Sequence, residues 1–402
     1  MNDRSGETAY ARVLVSLLLL WLAGVALRLT ILAVPPVIPN IHDELQLSQT
    51  EVGILNGLPP LLFALAAVPG SLLIARLGAL TALVTGLLLT AIGSALRGAL
   101  PNVTWLYTTT ILMGIGVAVM QVTMPPMVRA WLPTRIGFAT AVYTNGLLVG
   151  EILPVALMLP LVLPLAGGSW QWSFVVWSVP VALIAVLVVA LAPRSSSAEV
   201  TAVLARRKWW PDWRDGMVWR IGLMFGTANA MYFATNAFLP NYLNYTGRPE
   251  LISGALTSLN VGQLPASFLL LAVAGRLERV AWPYVFSGFV GLLGVVGIVF
   301  GTGLWIIASA ALLGFSAAWT LILALALPPL LSAPDDVHRT TAAMFTISYT
   351  CAVIVPVVSG LLWDHTGIPA IAFLPIGICG LGLMALAPGI DRAGKVGGAG
   401  RA

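Results

Sequence analysis

A single arginine interrupts the first long apolar run of the chain. Arg28 stands within residues 13–38, a run long enough to cross a bilayer as a helix, which takes about 20 residues. Its guanidinium stays charged at any physiological pH and offers planar, forked N–H donors that suit an anion. A cation in hydrocarbon costs at least about 2.5 to 3.5 kcal/mol, so it must face a polar cavity or a counter-ion. We therefore predict that Arg28 contacts a solute; the alternative is a structural ion pair.

Few other polar side chains lie deep within the apolar runs. Glu151 is the only acidic residue in such a position. Asn229, Tyr232 and Asn236 recur at i, i+3 and i+7, which places them on one face of a helix. Two amides and a phenol on one face suit a site for a small polar solute. They also suit hydrogen bonds between neighbouring helices, which asparagine often makes in membranes.

The composition predicts an integral membrane protein. Charged residues make up 9% of the 402 residues and hydrophobic residues 59%, whereas an ordinary soluble domain carries roughly 25% charged residues. A soluble core of this size would leave large apolar patches in water. The net charge of +5 arises from basic residues in short loops, so nucleic-acid binding is not expected. The first apolar run is longer than the hydrophobic region of a signal peptide.

Apolar runs bounded by charges, Gly/Pro clusters or aromatic residues predict twelve transmembrane helices. A β-barrel is excluded because alternating segments of about ten residues are absent. The predicted spans cover residues 13–38, 50–75, 79–100, 104–131, 136–165, 169–192, 217–244, 250–275, 281–302, 304–330, 338–363 and 367–388.

The basic residues of the loops predict the orientation of these spans. With twelve spans both termini lie on one side, and that side carries 17 of the 20 Lys and Arg residues. The opposite side has only Arg97 and Arg248, and Arg97 is expected to reach the interface as a solvated anchor. Positively charged loops mark the cytoplasmic side, so both termini are predicted to be cytoplasmic. The cytoplasmic residues are Arg4, Arg12, Arg76, Arg129, Arg135, Arg194, Arg206, Arg207, Lys208, Arg214, Arg220, Arg276, Arg279, Arg339, Arg392, Lys395 and Arg401.

An internal repeat divides the spans into two halves. A shift of about 200 residues aligns several features in order, and two halves of six helices each would then share one topology. We predict a first bundle at 1–192, a cytoplasmic interdomain loop at 193–216 and a second bundle at 217–402. The aligned features are Pro39-Asn40 with Pro240-Asn241, Ala75-Arg76-Leu77 with Gly275-Arg276-Leu277, Pro125-Pro126 with Pro328-Pro329, and Pro154 with Pro356.

Two segments resemble the cyanate-porter family of the major facilitator superfamily. One is Leu27-Arg28-Leu29-Thr30 in span one, followed by Val37-Ile38-Pro39; the other is the glycine-rich stretch 114–125 in span four, which contains Gln121 and ends in Met124-Pro125. That family includes bacterial cyanate transporters and nitroimidazole exporters. The resemblance implies the major facilitator fold, with a solute site near the membrane midplane between two six-helix bundles that rock for alternating access.

The implied fold suggests how the polar residues would be used. Span five lies near span one, so Glu151 could pair with Arg28, and an anion would then compete for the arginine. Protonation of Glu151 would release Arg28, which is a route to proton coupling; the alternatives are a permanent pair or a buried, protonated acid. Gln121 and Trp319 lie on helices that line the cavity in this fold, and Asn229 takes the position of Arg28 in the second half.

The sequence predicts no enzyme. A phosphate-binding glycine loop and a metal-ligand spacing are both absent from the sequence, so no catalytic residue, metal or cofactor is predicted. The predicted function is secondary transport of a small, cyanate-like anion, with protons as a possible coupling ion. The alternative is export of a neutral or weakly ionised heterocycle; a membrane sensor would need a signalling segment longer than any loop here. The expected setting is a monomer in the lipid bilayer of the bacterial cytoplasmic membrane.

Overall fold

The computed structural model describes residues 3–46, 49–193 and 209–390, and all regular structure in these ranges is helical. The main helices up to residue 193 are α1 (Asp3–Leu29), α2 (Ile38–Leu45), α3 (Gln49–Leu77), α4 (Ala79–Leu96), α5 (Val103–Trp131), α6 (Ile136–Leu157) and α7 (Trp170–Leu191). Those beyond residue 209 are α8 (Gly216–Tyr245), α9 (Ile252–Val261), α10 (Gln263–Leu277), α11 (Trp282–Phe300), α12 (Leu304–Leu331), α13 (Val337–Thr366) and α14 (Leu374–Leu386). A π-helix at Met158–Val162 and a helical turn at Leu163–Leu165 continue α6. Seven of the predicted cytoplasmic basic residues lie outside the described residues: Arg194, Arg206, Arg207, Lys208, Arg392, Lys395 and Arg401.

Eleven helical stretches among the described residues are long and apolar enough to cross a membrane. They correspond to eleven of the twelve predicted spans. The remaining span is α8, which is 30 residues long but carries the polar row Asn229, Tyr232 and Asn236. The all-helical prediction is confirmed. The predicted span that is too polar to qualify is the one with the three polar residues on one helical face.

Two predicted spans are interrupted rather than continuous. The run 13–38 is not one helix, because α1 ends at Leu29 and the chain turns before a short 3-10 segment at Pro35–Val37. Proline has no N–H, so Pro35 and Pro36 cannot donate the helical hydrogen bonds to the carbonyls of Ile31 and Leu32, and the helix of α1 does not continue through them. The run 250–275 is divided at Gly262 into α9 and α10.

Side-chain hydrogen bonds and a glycine in a left-handed conformation stabilise the short connections between helices. The Asn102 side chain accepts a hydrogen bond from the backbone N–H of Trp105, and the Ser169 hydroxyl accepts one from Trp172. Both are N-caps, which satisfy donors left over at the start of a helix. Gly78 alone separates α3 from α4 and has φ +81°. Glycine adopts that left-handed conformation without steric cost, so the chain can reverse in one residue.

The chain divides into two compact units, one formed by Met1–Pro211 with Pro334–Ala342 and the other by Asp212–Ala333 with Ala343–Ala402. In the first unit α1 packs along α6, and α4 packs against α5 and α7. In the second unit α11 packs against α12 and α14, and α8 contacts both α12 and α14. The repeated prolines occupy matching places, in the last turns of α5 and α12 and within α6 and α13.

Candidate functional site

Glycines bring α1 and α6 into direct backbone contact. A side-chain carbon at Gly146 would overlap the carbonyl oxygen of Trp21, and one at Gly150 would overlap that of Val25. Both pairs advance by four residues together, so the two helices run parallel, as the alternation of spans one and five requires. Small residues at a membrane helix interface allow this close approach. The contact places the end of α1 beside the residue that follows Gly150.

That residue is Glu151, and it forms an ion pair with Arg28. The Nε atom of Arg28 donates a hydrogen bond to Oε1 of Glu151 at 3.1 Å. Arg28 is 8% exposed, and its guanidinium carbon lies 5.3 Å from the centroid of the Phe63 ring on α3. Burial strengthens the attraction between the charges, because little water screens them. The pairing that the sequence left open is therefore present in the structure.

The first unit also contains Gln121 and a second polar pair between α1 and α6. Gln121 is buried within α5, at 5% exposure. The indole N–H of Trp21 donates to Oδ1 of Asn145 at 3.1 Å. These two residues lie on α1 and α6, the same helices that hold Arg28 and Glu151. In the sequence Asn145 is a weaker candidate for the site, which helix packing also explains, and nothing local indicates its bond to Trp21.

In the second unit a glycine brings α8 close to α13, as glycines bring α6 close to α1 in the first unit. A side-chain carbon at Gly226 would lie 2.9 Å from the sulfur of Cys351 and 3.3 Å from the Cα of Ser348. One turn beyond, Nδ2 of Asn229 donates to the Ser348 hydroxyl at 2.8 Å. Asn229 takes the place of Arg28 in the repeat, so a neutral amide–hydroxyl pair here replaces an ion pair there.

The other two residues of the predicted face on α8 are also hydrogen-bonded within the second unit. The Tyr232 hydroxyl donates to Oδ1 of Asn260 on α9. Nδ2 of Asn236 donates to the backbone carbonyl of Tyr232 at 3.0 Å. Asn229, Tyr232 and Asn236 are all half-buried. Each therefore bonds a protein group while keeping part of its side chain accessible.

Trp319 lies among aromatic rings in the second unit. Its ring stacks on Phe315 with centroids 5.5 Å apart, and it meets the edge of Phe286 at 5.8 Å. Trp319 is 5% exposed, and its indole N–H has no hydrogen-bond partner among the described residues. A buried donor without a partner is costly in a finished core, so this N–H is available to a bound molecule.

Arg97 does not lie where the sequence placed it. The expectation of a solvated anchor at the interface is wrong, since Arg97 is 1% exposed at the C-terminus of α4. It is enclosed by Thr30, Met113 and Phe174, which belong to three other segments of the first unit. Its position near the end of an apolar run suggested snorkelling, but contacts with the end of α1, with α5 and with α7 enclose its guanidinium.

The predicted residues thus form one group within each unit. Arg28 and Glu151 pair in the first unit, and Asn229, Tyr232 and Asn236 form a polar row in the second. Within the described part of the chain, His, Cys, Asp and Glu side chains form no group of three that could hold a metal ion. The first unit therefore contains a buried charged pair, and the second contains a row of neutral hydrogen-bonding side chains and a cluster of aromatic rings.

The profile of the Major Facilitator Superfamily matches residues 20–254. This chain belongs to the major facilitator superfamily. The match spans more than half of the chain and includes Arg28, Glu151 and the polar row of α8. The resemblance drawn from spans one and four is thereby confirmed at the level of the superfamily.

Three similar proteins extend over nearly the whole chain. An uncharacterised transporter of Bacillus subtilis, YycB, is 27% identical over 85% of this chain and 84% of its own length. The cyanate transport protein CynX of Escherichia coli is 26% identical over 92% and 95%. The 2-nitroimidazole transporter of the same species is 26% identical over 90% and 91%. All three are transporters, which agrees with the absence of an enzyme constellation in the sequence.

Solved structures share the fold. A variant of the Escherichia coli fucose:proton symporter FucP superposes with a TM-score of 0.69 at 15% identity, covering 94% of this chain and 98% of that one. The proton:xylose symporter XylE superposes with a TM-score of 0.74 at 14% identity, over 94% and 95%. These two likenesses show the fold alone; the family match and the similar transporters make the chain a multi-pass membrane transporter of small solutes.

Proposed function

We propose that this protein transports a small, cyanate-like anion, which it binds at Arg28. The observation that carries the proposal is the buried guanidinium of Arg28, paired with Glu151 at 3.1 Å. A buried pair is costly in desolvation and is easily replaced by apolar residues, so its retention in an apolar helix favours a functional role. An anion of one or two charged atoms matches the forked donors of arginine.

Glu151 is proposed to be both the resting partner of Arg28 and the proton-binding group. While Glu151 carries its charge, an incoming anion must compete with it for the guanidinium. A proton on Glu151 would remove that competitor and leave Arg28 open to the anion. Proton and anion would then bind together and be carried together, which is the arrangement of a proton-coupled symporter.

The second unit is proposed to supply the neutral side of the site. Asn229, Tyr232, Asn236 and the indole N–H of Trp319 would surround the solute without a second charge, and Gln121 would add an amide from the first unit. In the major facilitator plan the solute site lies near midplane between the two bundles, which alternate in access. The proposed bundles are 1–192 and 217–402, in one monomer of the bacterial cytoplasmic membrane with both termini cytoplasmic.

Export of a neutral or weakly ionised heterocycle is the second candidate. The 2-nitroimidazole transporter is as similar to this chain as the cyanate transport protein is, at 26% identity. The stacked rings of Trp319 and Phe315 suit a flat heterocycle. In this case the Arg28–Glu151 pair would be structural and would persist throughout transport.

Reconstituted liposomes separate the two functions. Uptake of labelled cyanate and of labelled 2-nitroimidazole would be measured with and without a pH gradient. Replacing Arg28 by Lys keeps the charge but removes the fork, so cyanate uptake should fall at least about tenfold. Arg248→Lys is the control, because Arg248 donates to the backbone carbonyl of Gly301 in the second unit.

Each outcome of this experiment is decisive. Cyanate uptake that is lost in Arg28→Lys and kept in Arg248→Lys supports the anion proposal. Transport of 2-nitroimidazole that is equal in wild type and Arg28→Lys, without uptake of cyanate, supports the exporter instead. Absence of cyanate uptake by the wild type, with and without the pH gradient, would overturn the anion proposal.

A further inference from the structure

Arg97 is a fully buried cation that the proposed transport mechanism does not use. It follows the last residue of α4 and is 1% exposed. Among the described residues no carboxylate forms an ion pair with it, and its Nε atom has no hydrogen-bond partner. A buried guanidinium without a counter-ion is expensive, so its retention calls for a specific role.

The contacts of Arg97 converge on the end of α1. Nη1 donates a hydrogen bond to the backbone carbonyl of Thr30 at 3.0 Å. Nη2 contacts the sulfur of Met113 on α5, and the guanidinium carbon lies 5.2 Å from the centroid of the Phe174 ring on α7. The guanidinium therefore bridges the break in the first span to two neighbouring helices.

The break in the first span needs such a partner. The last carbonyl groups of a helix have no partner within it, and in a membrane no bulk water replaces them. Here the carbonyl of Arg28 accepts bonds from the N–H groups of Ile31 and Leu32, and Arg97 satisfies the carbonyl of Thr30. A cation at this position also opposes the negative end of the helix dipole.

The surroundings of Arg97 are themselves anchored. The Phe174 ring meets the Trp170 ring edge-on at 5.7 Å. The indole N–H of Trp170 donates to Oε2 of Glu44 at 2.7 Å, and the side-chain amide of Gln171 donates to Oε1 of the same residue. Glu44 belongs to α2, the helix that follows the break. A continuous series of contacts thus joins both sides of the break to α7.

We propose that Arg97 is a positioning residue: it holds the interrupted end of α1 so that Arg28 is presented to the solute in one fixed geometry. Thr30 lies two residues after Arg28, so backbone motion at the Thr30 carbonyl would also move Arg28. The expected effect on transport rests on the proposed role of Arg28 in solute binding. The expected effect on backbone motion is independent of that role.

Hydrogen exchange of the full-length protein in lipid nanodiscs tests the backbone part without any solute. Arg97→Met should raise amide exchange in residues 30–37 at least about tenfold relative to wild type, with peptides of α11 and α14 unchanged. Arg97→Lys keeps a charged donor for the Thr30 carbonyl and should restore most of the protection. Arg248→Met is the matched control, because its loss should raise exchange around Gly301 and leave residues 30–37 as they were.

Transport kinetics test whether the held geometry serves Arg28. With labelled cyanate as the probe, Arg97→Met should raise KM about tenfold and leave the maximal rate within about twofold. Arg97→Lys should return KM towards the wild-type value, and Arg248→Met should change neither. If Arg97→Met does not fold, Arg97→Gln, which retains a neutral donor, replaces it in both measurements.

Two results would overturn the proposal. One is unchanged exchange in residues 30–37 when Arg97 is replaced, or a rise spread evenly over all helices of the first unit. The other is a fall in the maximal rate with unchanged KM, which would indicate general loss of active protein. If residues 30–37 loosen as expected but wild type carries no cyanate, the positioning of the break stands and the anion function fails.

Discussion

The carbonyl oxygen of Val25 occupies the space that a side-chain carbon at Gly150 would need, and this close approach brings Arg28 and Glu151 together. Arg28 is one turn beyond Val25, and Glu151 is the next residue after Gly150. No side-chain carbon fits at Gly150 without overlapping that oxygen. The ion pair at 3.1 Å therefore depends on a residue that carries no chemistry of its own.

Replacing Gly150 by Ala should destabilise the first unit and weaken solute binding. The added methyl group would push α1 away from α6, at a cost of about 1 to 3 kcal/mol, and would lengthen the Arg28–Glu151 contact. The melting temperature and the KM for the transported anion measure the two effects. Gly275→Ala is the control, since a side-chain carbon there meets open space; equal melting temperatures for the two variants would contradict this explanation.

Replacing Glu151 by Gln should uncouple transport from the proton gradient. The amide keeps the shape of the side chain but cannot take up a proton, so stimulation of anion uptake by an imposed pH gradient should fall at least about threefold. Uptake into liposomes at several external pH values measures this. The exposed Glu250, replaced by Gln, is the control. A Glu151→Gln protein that keeps its full pH dependence counts against proton coupling through this residue.

Replacing Trp319 by Phe should reduce solute affinity with little change in stability. Phenylalanine can keep the stacking on Phe315 but lacks the indole N–H, which has no partner among the described residues. The KM of the transported solute should rise about threefold to tenfold if that N–H binds it. Trp305, 73% exposed on the same helix, gives the control Trp305→Phe. An unchanged KM in Trp319→Phe would make Trp319 a packing residue.

Glu278 should make the stability of the folded protein depend on pH in the range from acidic to neutral. This residue follows α10 in the connection to α11, is 8% exposed, and has an Oε2 atom without a partner among the described residues. Burial raises the pKa of Glu278 from 4.5 to about 7, against a smaller opposite effect of the Arg279 charge. The folded state therefore favours the protonated carboxyl.

The sign of the effect follows from that raised pKa. The stabilisation is fully present below pH 4.5, the ordinary value, and is lost as pH rises through about 7. The melting temperature of wild type should therefore fall by roughly a few degrees between pH 5 and pH 8 relative to Glu278→Gln. Glu250→Gln, at an exposed position, should melt like wild type. A parallel pH profile for wild type and Glu278→Gln would refute the assignment.

Much of the fold could be predicted because its signals are local. Hydropathy and loop charge are sums over neighbouring residues, so they predicted the helical class and the spans, and the repeat of features about 200 residues apart predicted the two halves before any contact was known. The predicted boundary between the spans 281–302 and 304–330 also agrees with the structure, in which Gly301-Thr302-Gly303 separates α11 from α12. The break after Leu29 was missed because hydropathy stays high through Pro35-Pro36, although the prolines themselves were the available signal.

The site was predictable only as a set of unusual residues. Arg28 and Glu151 each stand out because a charge in an apolar run is visible in the sequence alone. Their hydrogen bond joins positions 123 residues apart, and it forms because glycines let two helices touch. The bonds of Asn229 to Ser348 and of Tyr232 to Asn260 likewise depend on which helices are neighbours.

The sequence alone determined that this chain is a membrane protein that crosses the bilayer as two related sets of helices. It also showed one arginine and one glutamate deep within the apolar spans. Only the tertiary structure decided that those two charges meet and that Arg97 is enclosed rather than solvated. The reason is physical: the cost of burying a charge is a property of its own segment. Its partner is chosen by packing between distant segments, which no local pattern encodes.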